Sequence, residues 1–358
     1  MAKVQRFKES FQIWGVLMKV FVTGGTGYIG RVLVPMMVKD GHDVTVLDRM
    51  FLNYDDVERE YQDMKVHLIK GDIRDFDPNY LKGMDATVDL AALSNDPSGD
   101  LDPVKTWDIN YIGRVRVARM AKKLGVKKYI VASSCSVYGF RDDIADENSK
   151  PNPLTTYAQA NIAVEGDNVR LSDKDFASTA LRFATAFGYS RRMRFDIAVN
   201  AMTLNAYKTN KIRLMRDGEQ FRPFVHVVDI SRSILNVLSQ PEDLVSGKIF
   251  NVGSDSLNVK LKDLAETIRN EVDPSSQIEW YGDPDIRSYK VSFKKALNEL
   301  KFKTVVDIKK GVEEILDKLK SGELADFPQT HTVEYYKKLL ESASIVNKSG
   351  ISSISRIL

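Results

Sequence analysis

A glycine-rich segment between a short apolar run and a helical pattern constrains the chain most strongly. The segment reads VFVTGGTGYIG and covers residues 20–30. Gly25, Gly27 and Gly30 have the spacing G-x-G-x-x-G, and Gly24 with the last two gives a second, wider spacing. Glycines let the backbone turn tightly and approach a pyrophosphate, and the following helix N-terminus offers free N–H groups. The segment therefore predicts a dinucleotide-binding turn between a strand and a helix.

The first half of the chain alternates apolar runs with helical patterns. The predicted strands are Val20–Val22, Asp43–Leu47, Val66–Ile69, Ala86–Leu90, Lys128–Ala132 and Ser178–Phe183, and the predicted helices include Ile29–Asp40 and Trp107–Leu124. Continuous apolar runs are typical of parallel strands that are buried on both faces. The fold class predicted is α/β, with a Rossmann-type doubly wound parallel sheet and a smaller mixed α/β C-terminal substrate lobe.

The same patterns predict the organisation of the chain. Residues 1–17 form an N-terminal extension, either poorly ordered or a short surface helix, and residues 18–185 form the dinucleotide-binding domain. Residues 186–325 form mainly the substrate lobe, with some segments returning to the core sheet, as a strand-like run at 224–228 and another at 248–252 suggest. Residues 326–358 contain a helix, Val333–Ser342, and a Ser-rich tail that is expected to be disordered.

Asp48 follows the second predicted strand, eighteen residues beyond Gly30. A carboxylate at this place bonds the adenosine ribose hydroxyls and repels a 2′-phosphate, so the cofactor predicted is NAD rather than NADP. Two alternatives stay open: the adjacent Arg49 accommodates a 2′-phosphate, or Asp48 is simply a turn residue.

Composition excludes several classes of protein. The net charge is +3 over 358 residues, and interspersed Lys and Arg leave no basic stripe for nucleic acid. No apolar stretch approaches the roughly 18 residues of a membrane span, and the N-terminus lacks signal-peptide features. One cysteine, Cys135, allows no disulfide within the chain and fits a cytoplasmic protein. Four scattered histidines show no metal-ligand spacing, so no metal is predicted.

From Lys19 to about Lys320 the chain resembles extended short-chain dehydrogenases/reductases that act on nucleotide sugars, such as UDP-galactose 4-epimerase and the dTDP-glucose 4,6-dehydratases. The resemblance rests on GDIRD at 71–75, LAA at 90–92, SSCSVYG at 133–139, RPFVHVVD at 222–229 and FNVG at 250–253. It implies an NAD cofactor, a nucleotide-diphosphate sugar as substrate and a homodimer.

The resemblance also implies which residues form the site. Those expected to bind the cofactor are Gly24, Gly27, Tyr28, Ile29, Asp48, Arg49, Asp72, Ile73, Leu90, Ala91, Ala92, Asn110, Tyr157 and Asn161. Those expected to bind the substrate are Ser94, Ser134, Thr185, Arg194, Asn200, Arg222 and Arg287, the arginines because guanidinium groups bind diphosphates bidentately. Asn95 and Asp96 also follow the fourth strand and are weaker candidates for sugar contacts. Arg191 and Arg192 are either part of this pocket or surface residues of a loop.

Tyr157 matches the acid–base tyrosine of the family, and Asn161 stands four residues later where the family has lysine. Family lysines hold the nicotinamide ribose, and their charge lowers the pKa of the tyrosine. An asparagine supplies no charge, so Tyr157 is expected to titrate near the ordinary value of about 10. Three explanations remain open: an engineered inactivating change, a natural variant with another source of positive charge, or a natural pseudoenzyme.

Ser134 matches the hydroxyl residue that bridges substrate and tyrosine, or else it only caps a strand end. The two positions after it, where the 4,6-dehydratases carry an Asp-Glu pair, hold Cys135 and Ser136. No acid is available there to eliminate water, which argues against dehydration. The prediction is an NAD-dependent nucleotide-sugar epimerase that acts through a transient keto sugar, with Tyr157, Ser134 and Asn161 as catalytic residues. The alternatives are a nucleotide-sugar ketoreductase or oxidoreductase and a non-catalytic binding protein.

Overall fold

A computed structural model of the protein describes residues 17–53, 55–283 and 287–348, with side chains up to residue 343. The prediction for residues 1–17 falls almost entirely outside the described residues, as does the end of the Ser-rich tail. In the described part of the chain, no helix combines the length and apolar character needed to cross a membrane.

The strands are β1 (Lys19–Thr23), β2 (Asp43–Asp48), β3 (His67–Lys70), β4 (Ala86–Asp89), β5 (Lys128–Ser134), β6 (Ile144–Ala145), β7 (Ala177–Phe183), β8 (Thr185–Phe187), β9 (Lys211–Met215), β10 (Phe221–His226), β11 (Lys248–Val252), β12 (Asn258–Lys260), β13 (Gln277–Tyr281) and β14 (Lys290–Val291). The α-helices are α1 (Gly30–Lys39), α2 (Val57–Asp63), α3 (Asp96–Gly99), α4 (Pro103–Trp107), α5 (Arg114–Lys123), α6 (Thr156–Leu171), α7 (Ala198–Thr209), α8 (Val227–Ser239), α9 (Glu242–Val245), α10 (Leu261–Val272), α11 (Lys294–Leu300), α12 (Ile308–Lys320) and α13 (Thr332–Lys348).

Seven parallel strands form the central sheet in the order β11-β7-β5-β4-β1-β2-β3. Successive residues of β1 point into different cores because side chains alternate along a strand. Val20 and Val22 pack with residues of α1 and α8, whereas Phe21 packs with residues of α5 and α6. Helices therefore cover both faces of the sheet, as the apolar strands predict, and the fold is Rossmann-like.

Smaller elements form a second group beside this sheet. β10 lies between β8 (parallel) and β12 (antiparallel), and β9 pairs with β13. Helices α7, α10 and α12 pack around an apolar core that includes Phe187, Phe224 and Leu264. The chain returns to the central sheet at β11, which pairs with β7. The boundaries at residues 185 and 325 stay a prediction.

The predicted helix Trp107–Leu124 is interrupted. A π-helical turn, Asp108–Gly113, separates α4 from α5. The turn directs the side chain of Asn110 inward, where its amide accepts from Leu93 N at 2.8 Å and donates to Leu93 O at 3.0 Å. π-helical turns of this kind are frequent at functional sites.

Two further predicted boundaries were wrong. The strand expected at 224–228 is β10, which ends at His226, because the ring of His226 accepts from Val228 N and caps α8. Helix α13 continues six residues beyond Ser342 to Lys348. The hydroxyl of Ser342 donates to Lys338 O at 2.8 Å, so this serine is satisfied within the helix rather than ending it.

Candidate active site

A cavity of about 710 Å³ opens where the central strands end. Gly24 follows β1, Asp48 ends β2, Leu90 follows β4 and Ser134 ends β5, and all four line the cavity. Parallel strands have their carboxyl ends at the same edge of a sheet, so residues distant in sequence meet there.

The glycine turn forms one wall of the cavity. Gly24 has a φ of +69°, and a Cβ there would lie 2.8 Å from Ala91 N. A Cβ at Gly30 would lie 2.2 Å from Gly25 O, so helix α1 packs against the turn more closely than any side chain permits. Helix α1 begins without a side-chain cap, and the N–H groups of Arg31, Val32 and Leu33 donate to backbone oxygens of the turn. The positive end of the helix dipole still favours a phosphate at this place.

The carboxylate of Asp48 lines the same wall and accepts backbone N–H groups from Thr26 at 2.9 Å and Met50 at 2.8 Å. The neighbouring Arg49 donates from Nη1 to Asp72 Oδ2 at 2.5 Å. Burial opposes ionisation of Asp72, but hydrogen bonds from Arg74 and Arg49 prevail and hold the pKa of this carboxyl below its usual range. Arg49 is thus engaged by a carboxylate, which disfavours its use for a 2′-phosphate.

Most of the other predicted cofactor residues line the cavity, namely Gly27, Tyr28, Ile29, Asp72, Ile73, Leu90, Ala91 and Ala92. Tyr28 donates its hydroxyl to Gly188 O at 2.7 Å, and burial raises its pKa. Asn110 is not among the lining residues, because the π-helical turn commits its amide to Leu93. This position favours a role of Asn110 in holding the loop after β4 over a direct contact with the cofactor.

Tyr157 lies in the first turn of α6 and lines the cavity. The hydroxyl of Thr155 caps this helix by accepting from Ala158 N at 3.2 Å, and it donates to Asp96 Oδ1 at 2.6 Å. Helix α3 packs so closely that a Cβ at Gly99 would lie 2.7 Å from Tyr157 Cβ. The cap and this close packing fix where the phenol enters the site.

Burial raises the pKa of Tyr157 above its ordinary value. Contacts with the amide of Asn161 and the hydroxyl of Ser134 lower the pKa, as does the charge of Arg114, whereas Asp96 raises it. Burial prevails, so the phenol titrates above the ordinary range that the sequence predicts.

Asn161 does not line the cavity but lies buried behind Tyr157, with 1% of its surface exposed. Its Oδ1 accepts from Nη1 of Arg114 at 3.3 Å. Its Nδ2 is buried and makes no hydrogen bond of normal geometry within the described part of the chain, although the amide lies close enough to favour the Tyr157 phenolate. Such an unpaired buried donor is costly unless a ligand satisfies it.

Ser134 accepts from Ser136 N at 3.1 Å and also contacts Tyr157, so its capping role and its predicted functional role are compatible. Cys135 is fully buried, donates to Arg182 O at 3.3 Å, and has a pKa that burial raises. Ser136 lines the cavity, and its buried hydroxyl has no hydrogen-bond partner among the described residues. The sequence analysis did not predict this position for Ser136.

Five residues that the resemblance assigns to the substrate also line the cavity, namely Ser94, Thr185, Arg194, Arg222 and Arg287. The guanidinium of Arg194 forms two bonds to Asp196, at 3.0 and 2.6 Å, and donates to Ser94 at 2.8 Å. Burial disfavours the charged form of Asp196, yet the pKa of this carboxyl is lowered by Arg194. The arginine is therefore already neutralised by a protein carboxylate.

Asn200 does not line the cavity. It is fully buried, accepts from Gly188 N at 3.0 Å, and donates to Tyr28 Oη at 3.2 Å and Arg194 O at 3.0 Å. Helix α7 directs its side chain toward Tyr28 and Arg194, which line the cavity, and toward Gly188. These bonds support the cavity wall, and the contact of Asn200 with a substrate stays a prediction.

Arg222 and Arg287 lie next to each other, with Arg222 Nη1 donating to Phe221 O at 2.9 Å and to Arg287 O. Arg287 Nη1 lies 3.1 Å from Asp96 Oδ2. Asp96, a weak candidate from sequence, thus contacts both the helix of Tyr157 and an expected phosphate ligand.

The two arginines with open alternatives differ from each other. Arg191 is an exposed residue that pairs with Glu60 at 2.7 Å. Arg192 is 2% exposed, donates to Thr332 at 2.9 Å and lines the cavity, so a surface position is wrong for this residue.

The sequence model of the NAD dependent epimerase/dehydratase family matches residues 20–253. The chain belongs to this family. A putative UDP-glucose 4-epimerase of Methanocaldococcus jannaschii is 25% identical over 313 residues, which are 85% of this chain and 99% of that relative.

Solved structures of epimerases and of a dehydratase share the fold. UDP-glucuronic acid 4-epimerase from Bacillus cereus, in complex with UDP-glucuronic acid and NAD, has a TM-score of 0.77 at 21% identity, covering 85% of this chain and 99% of that one. TunA, an NAD-dependent NDP-hexosamine 5,6-dehydratase involved in tunicamycin biosynthesis, has a TM-score of 0.76 at 20% identity, covering 85% of this chain and 98% of that one. The protein is an enzyme of the epimerase/dehydratase type.

NAD is the cofactor of this family, and the site fits it. The turn at Gly24 leaves no room for a Cβ, helix α1 is uncapped, and Asp48 lines the cavity. The unpaired Nδ2 of Asn161 adds a buried donor close to Tyr157. The turn and helix α1 would hold the pyrophosphate, and Asp48 would hold the adenosine ribose.

Sequence reasoning missed several residues of this epimerase/dehydratase site, among them Arg114 and Tyr336. Arg114 lines the cavity, and the only signal for it is a basic residue four positions after Asn110, on the same helical face. Tyr336 of α13 lines the cavity and packs its ring 5.6 Å from that of Phe51. Nothing local in the sequence connects these two aromatic residues, because they lie in distant parts of the chain.

Proposed function

We propose that the protein is an NAD-dependent nucleotide-sugar epimerase that inverts C4 of a UDP-sugar. The observation that carries this proposal is the pairing of Tyr157 and Ser134 at the cavity, with the thiol of Cys135 and the hydroxyl of Ser136 following where a dehydratase needs acids. The name of the M. jannaschii relative supports both the UDP-sugar and the carbon atom.

The residues of the chain divide the work as follows. Tyr157 takes the proton of a sugar hydroxyl and later returns it, and Ser134 orients that hydroxyl. Arg222 and Arg287 hold the diphosphate, since guanidinium groups match phosphate oxygens in geometry and charge. NAD, when bound, supplies a reversible acceptor for the hydride of the sugar carbon.

The two positions that follow Ser134 hold no acid for the loss of water. Cys135 is buried with a raised pKa, and Ser136 carries only a hydroxyl. Asp96, a carboxylate that lines the cavity and raises the pKa of Tyr157, is held by Thr155 and by Arg287. This arrangement favours epimerisation, which needs a single proton shuttle, over dehydration, which needs a separate acid.

A product assay tests the proposal. The purified protein with NAD is incubated with UDP-glucose, UDP-glucuronic acid or their N-acetylamino analogues, and the products are identified by NMR. We expect a mixture of C4 epimers with no net change in NADH absorbance. The epimerising activity should be abolished in Tyr157→Phe and retained in Tyr207→Phe, because the ring of Tyr207 is 41% exposed. A 4-keto-6-deoxy product would indicate a dehydratase, and stoichiometric change in NADH an oxidoreductase.

A second candidate is a binding protein without turnover, which the neutral Asn161 and the raised pKa of Tyr157 favour. Asn161→Lys separates the two candidates. A large gain in activity over an inactive wild type would identify a catalytic site that the asparagine switched off.

We also propose that the protein forms a homodimer, which light scattering would test.

A further inference from the structure

Arg114 is a buried cation directly behind the position where the family has its lysine. It is the first residue of α5, follows the π-helical turn, and is 1% exposed. Its Nη1 lies 3.3 Å from Oδ1 of Asn161. The charge that residue 161 lacks is therefore present one hydrogen bond away, on a different helix.

The guanidinium of Arg114 is fixed between β4 and β5. Nε lies 3.1 Å from Asp89 Oδ2, and Nη2 donates to Asp89 O at 3.2 Å and to Ala132 O at 2.6 Å. Asp89 is itself fully buried and accepts from the hydroxyls of Thr23 and Tyr129, each at 2.6 Å. A planar guanidinium held at several nitrogens has little freedom to leave, so its remaining donor toward Asn161 is fixed in direction.

This contact determines which way the amide of Asn161 faces. An arginine carries only donors, so the oxygen and not the nitrogen of the amide must face Arg114. The Nδ2 of Asn161 is consequently turned away from Arg114, and it is buried without a hydrogen bond of normal geometry among the described residues. The pair therefore offers what a lysine would offer, namely N–H donors on the side away from Arg114 and a positive charge next to them.

We propose that Arg114 and Asn161 together replace the family lysine, with Arg114 supplying the charge and fixing the amide so that Nδ2 faces Tyr157. Arg114 acts through Asn161 and is a positioning residue. The inference rests on the proposed function, because it assigns Tyr157 the proton transfer. It also identifies which of the three explanations for Asn161 applies, namely a variant with another source of positive charge.

The charged groups nearest to Tyr157 belong to helices α3 and α5, to strand β7 and to α6 itself. Asp96 and Asp100 belong to the α3 region, and Asp96 is paired with Arg287. Arg114 is paired with Asp89, and one turn beyond Asn161 the buried Glu165 is paired with Arg182 of β7. Of these groups, Arg114 lowers and Asp96 raises the pKa of Tyr157. A guanidinium stays charged throughout the accessible pH range, so its contribution does not titrate away.

The test compares Arg114→Gln and Arg114→Lys with the wild type. We expect Arg114→Gln to lower kcat at pH 7 by roughly tenfold, with a smaller effect on KM, because an opposite charge nearby no longer favours the phenolate. The alkaline rise of the pH–rate profile should move to higher pH. Arg114→Lys, which keeps the charge, should lie between this variant and the wild type. Asn161→Lys added to Arg114→Gln should restore the rate and move the profile back.

A direct titration of Tyr157 gives a readout that needs no turnover. The protein is labelled with [¹³Cζ]tyrosine, the Tyr157 resonance is assigned with Tyr157→Phe, and its shift is followed with pH. We expect the titration to move to higher pH in Arg114→Gln and back in the double variant with Asn161→Lys. An unchanged titration and profile in Arg114→Gln, or no return on adding Asn161→Lys, would overturn the proposal.

Two controls keep this test decisive. Removing one partner of a buried ion pair is strongly destabilising, so Asp89→Asn/Arg114→Gln is used if Arg114→Gln does not fold. We expect a shift in the same direction but smaller, because the carboxylate that opposes Arg114 is removed as well. The matched control is Glu165→Gln/Arg182→Gln, which removes a buried pair between α6 and β7 and should leave the Tyr157 titration unchanged. If no nucleotide sugar is turned over, the proposed function fails, while the NMR titration still tests the role of Arg114.

Discussion

Arg287 Nη1 lies 3.1 Å from Asp96 Oδ2, and this ion pair joins two sides of the cavity. Asp96 also accepts from Thr155, the residue that caps the helix of Tyr157. One carboxylate thus connects an expected phosphate ligand with the acid–base tyrosine. A diphosphate that binds Arg287 competes with Asp96 for the guanidinium.

Asp96→Asn should shift the pH–rate profile to lower pH. The carboxylate of Asp96 raises the pKa of Tyr157, so its removal should make the phenolate accessible at lower pH. The measurement is kcat from pH 6 to 10. Asp100→Asn, in the same short segment, is the control and should leave the profile in place. A profile of Asp96→Asn that is unchanged or moves to higher pH would contradict the assignment.

Arg222→Ala and Arg287→Ala should each weaken binding of the nucleotide sugar by roughly 1.5–3 kcal/mol, the typical value of a charge-assisted hydrogen bond. Calorimetry with the UDP-sugar and with NAD measures both affinities. NAD affinity should barely change in either variant. Arg170→Ala, whose side chain is 82% exposed on α6, should change neither affinity. Equal loss of both ligands would show that these arginines are structural.

The wild-type protein should bind NAD more tightly than NADP, because Asp48 lines the cavity and Arg49 is bound to Asp72. Asp48→Asn should narrow the difference, since it removes the negative charge that repels a 2′-phosphate. Asp43→Asn, at the opposite and exposed end of the same strand, should leave the preference as it is. If the wild type bound NADP more tightly than NAD, Arg49 rather than Asp48 would be the residue that selects the cofactor.

Activity should rise with pH from 7 to 9. Burial raises the pKa of Tyr157, so the phenolate is the minor form in this range and its fraction grows as pH increases. Tyr157→Phe should abolish the activity at every pH. Activity that stays flat over this range and survives Tyr157→Phe would show that another residue is the base.

The sequence predicts the central sheet and the glycine turn well, because both depend on local patterns. Val20 and Val22 are apolar because β1 is covered on both faces, and Gly24 is required by its positive φ. Asn110 and Asn200 illustrate the limit of such reasoning. Their side chains are directed by a π-helical turn and by tertiary hydrogen bonds, and neither effect has a local signature.

The bond between Arg114 and Asn161 shows the same limit for chemistry. The two residues are 47 positions apart, and only the packing of α5 against α6 brings them together. From the sequence, Asn161 is a loss of charge with several open explanations. In the structure, the charge lies beside it on a neighbouring helix.

Isotope tracing shows directly whether the protein is an epimerase that removes a hydride from the sugar and returns the same hydride. A UDP-sugar carrying deuterium at C4 is incubated with the purified protein and NAD, and both the epimeric product and the cofactor are analysed by mass spectrometry and NMR. We expect the deuterium to remain at C4 of the inverted sugar and no labelled NADH to accumulate. Loss of the label to solvent, or its accumulation in free NADH beside a keto sugar, would contradict this expectation.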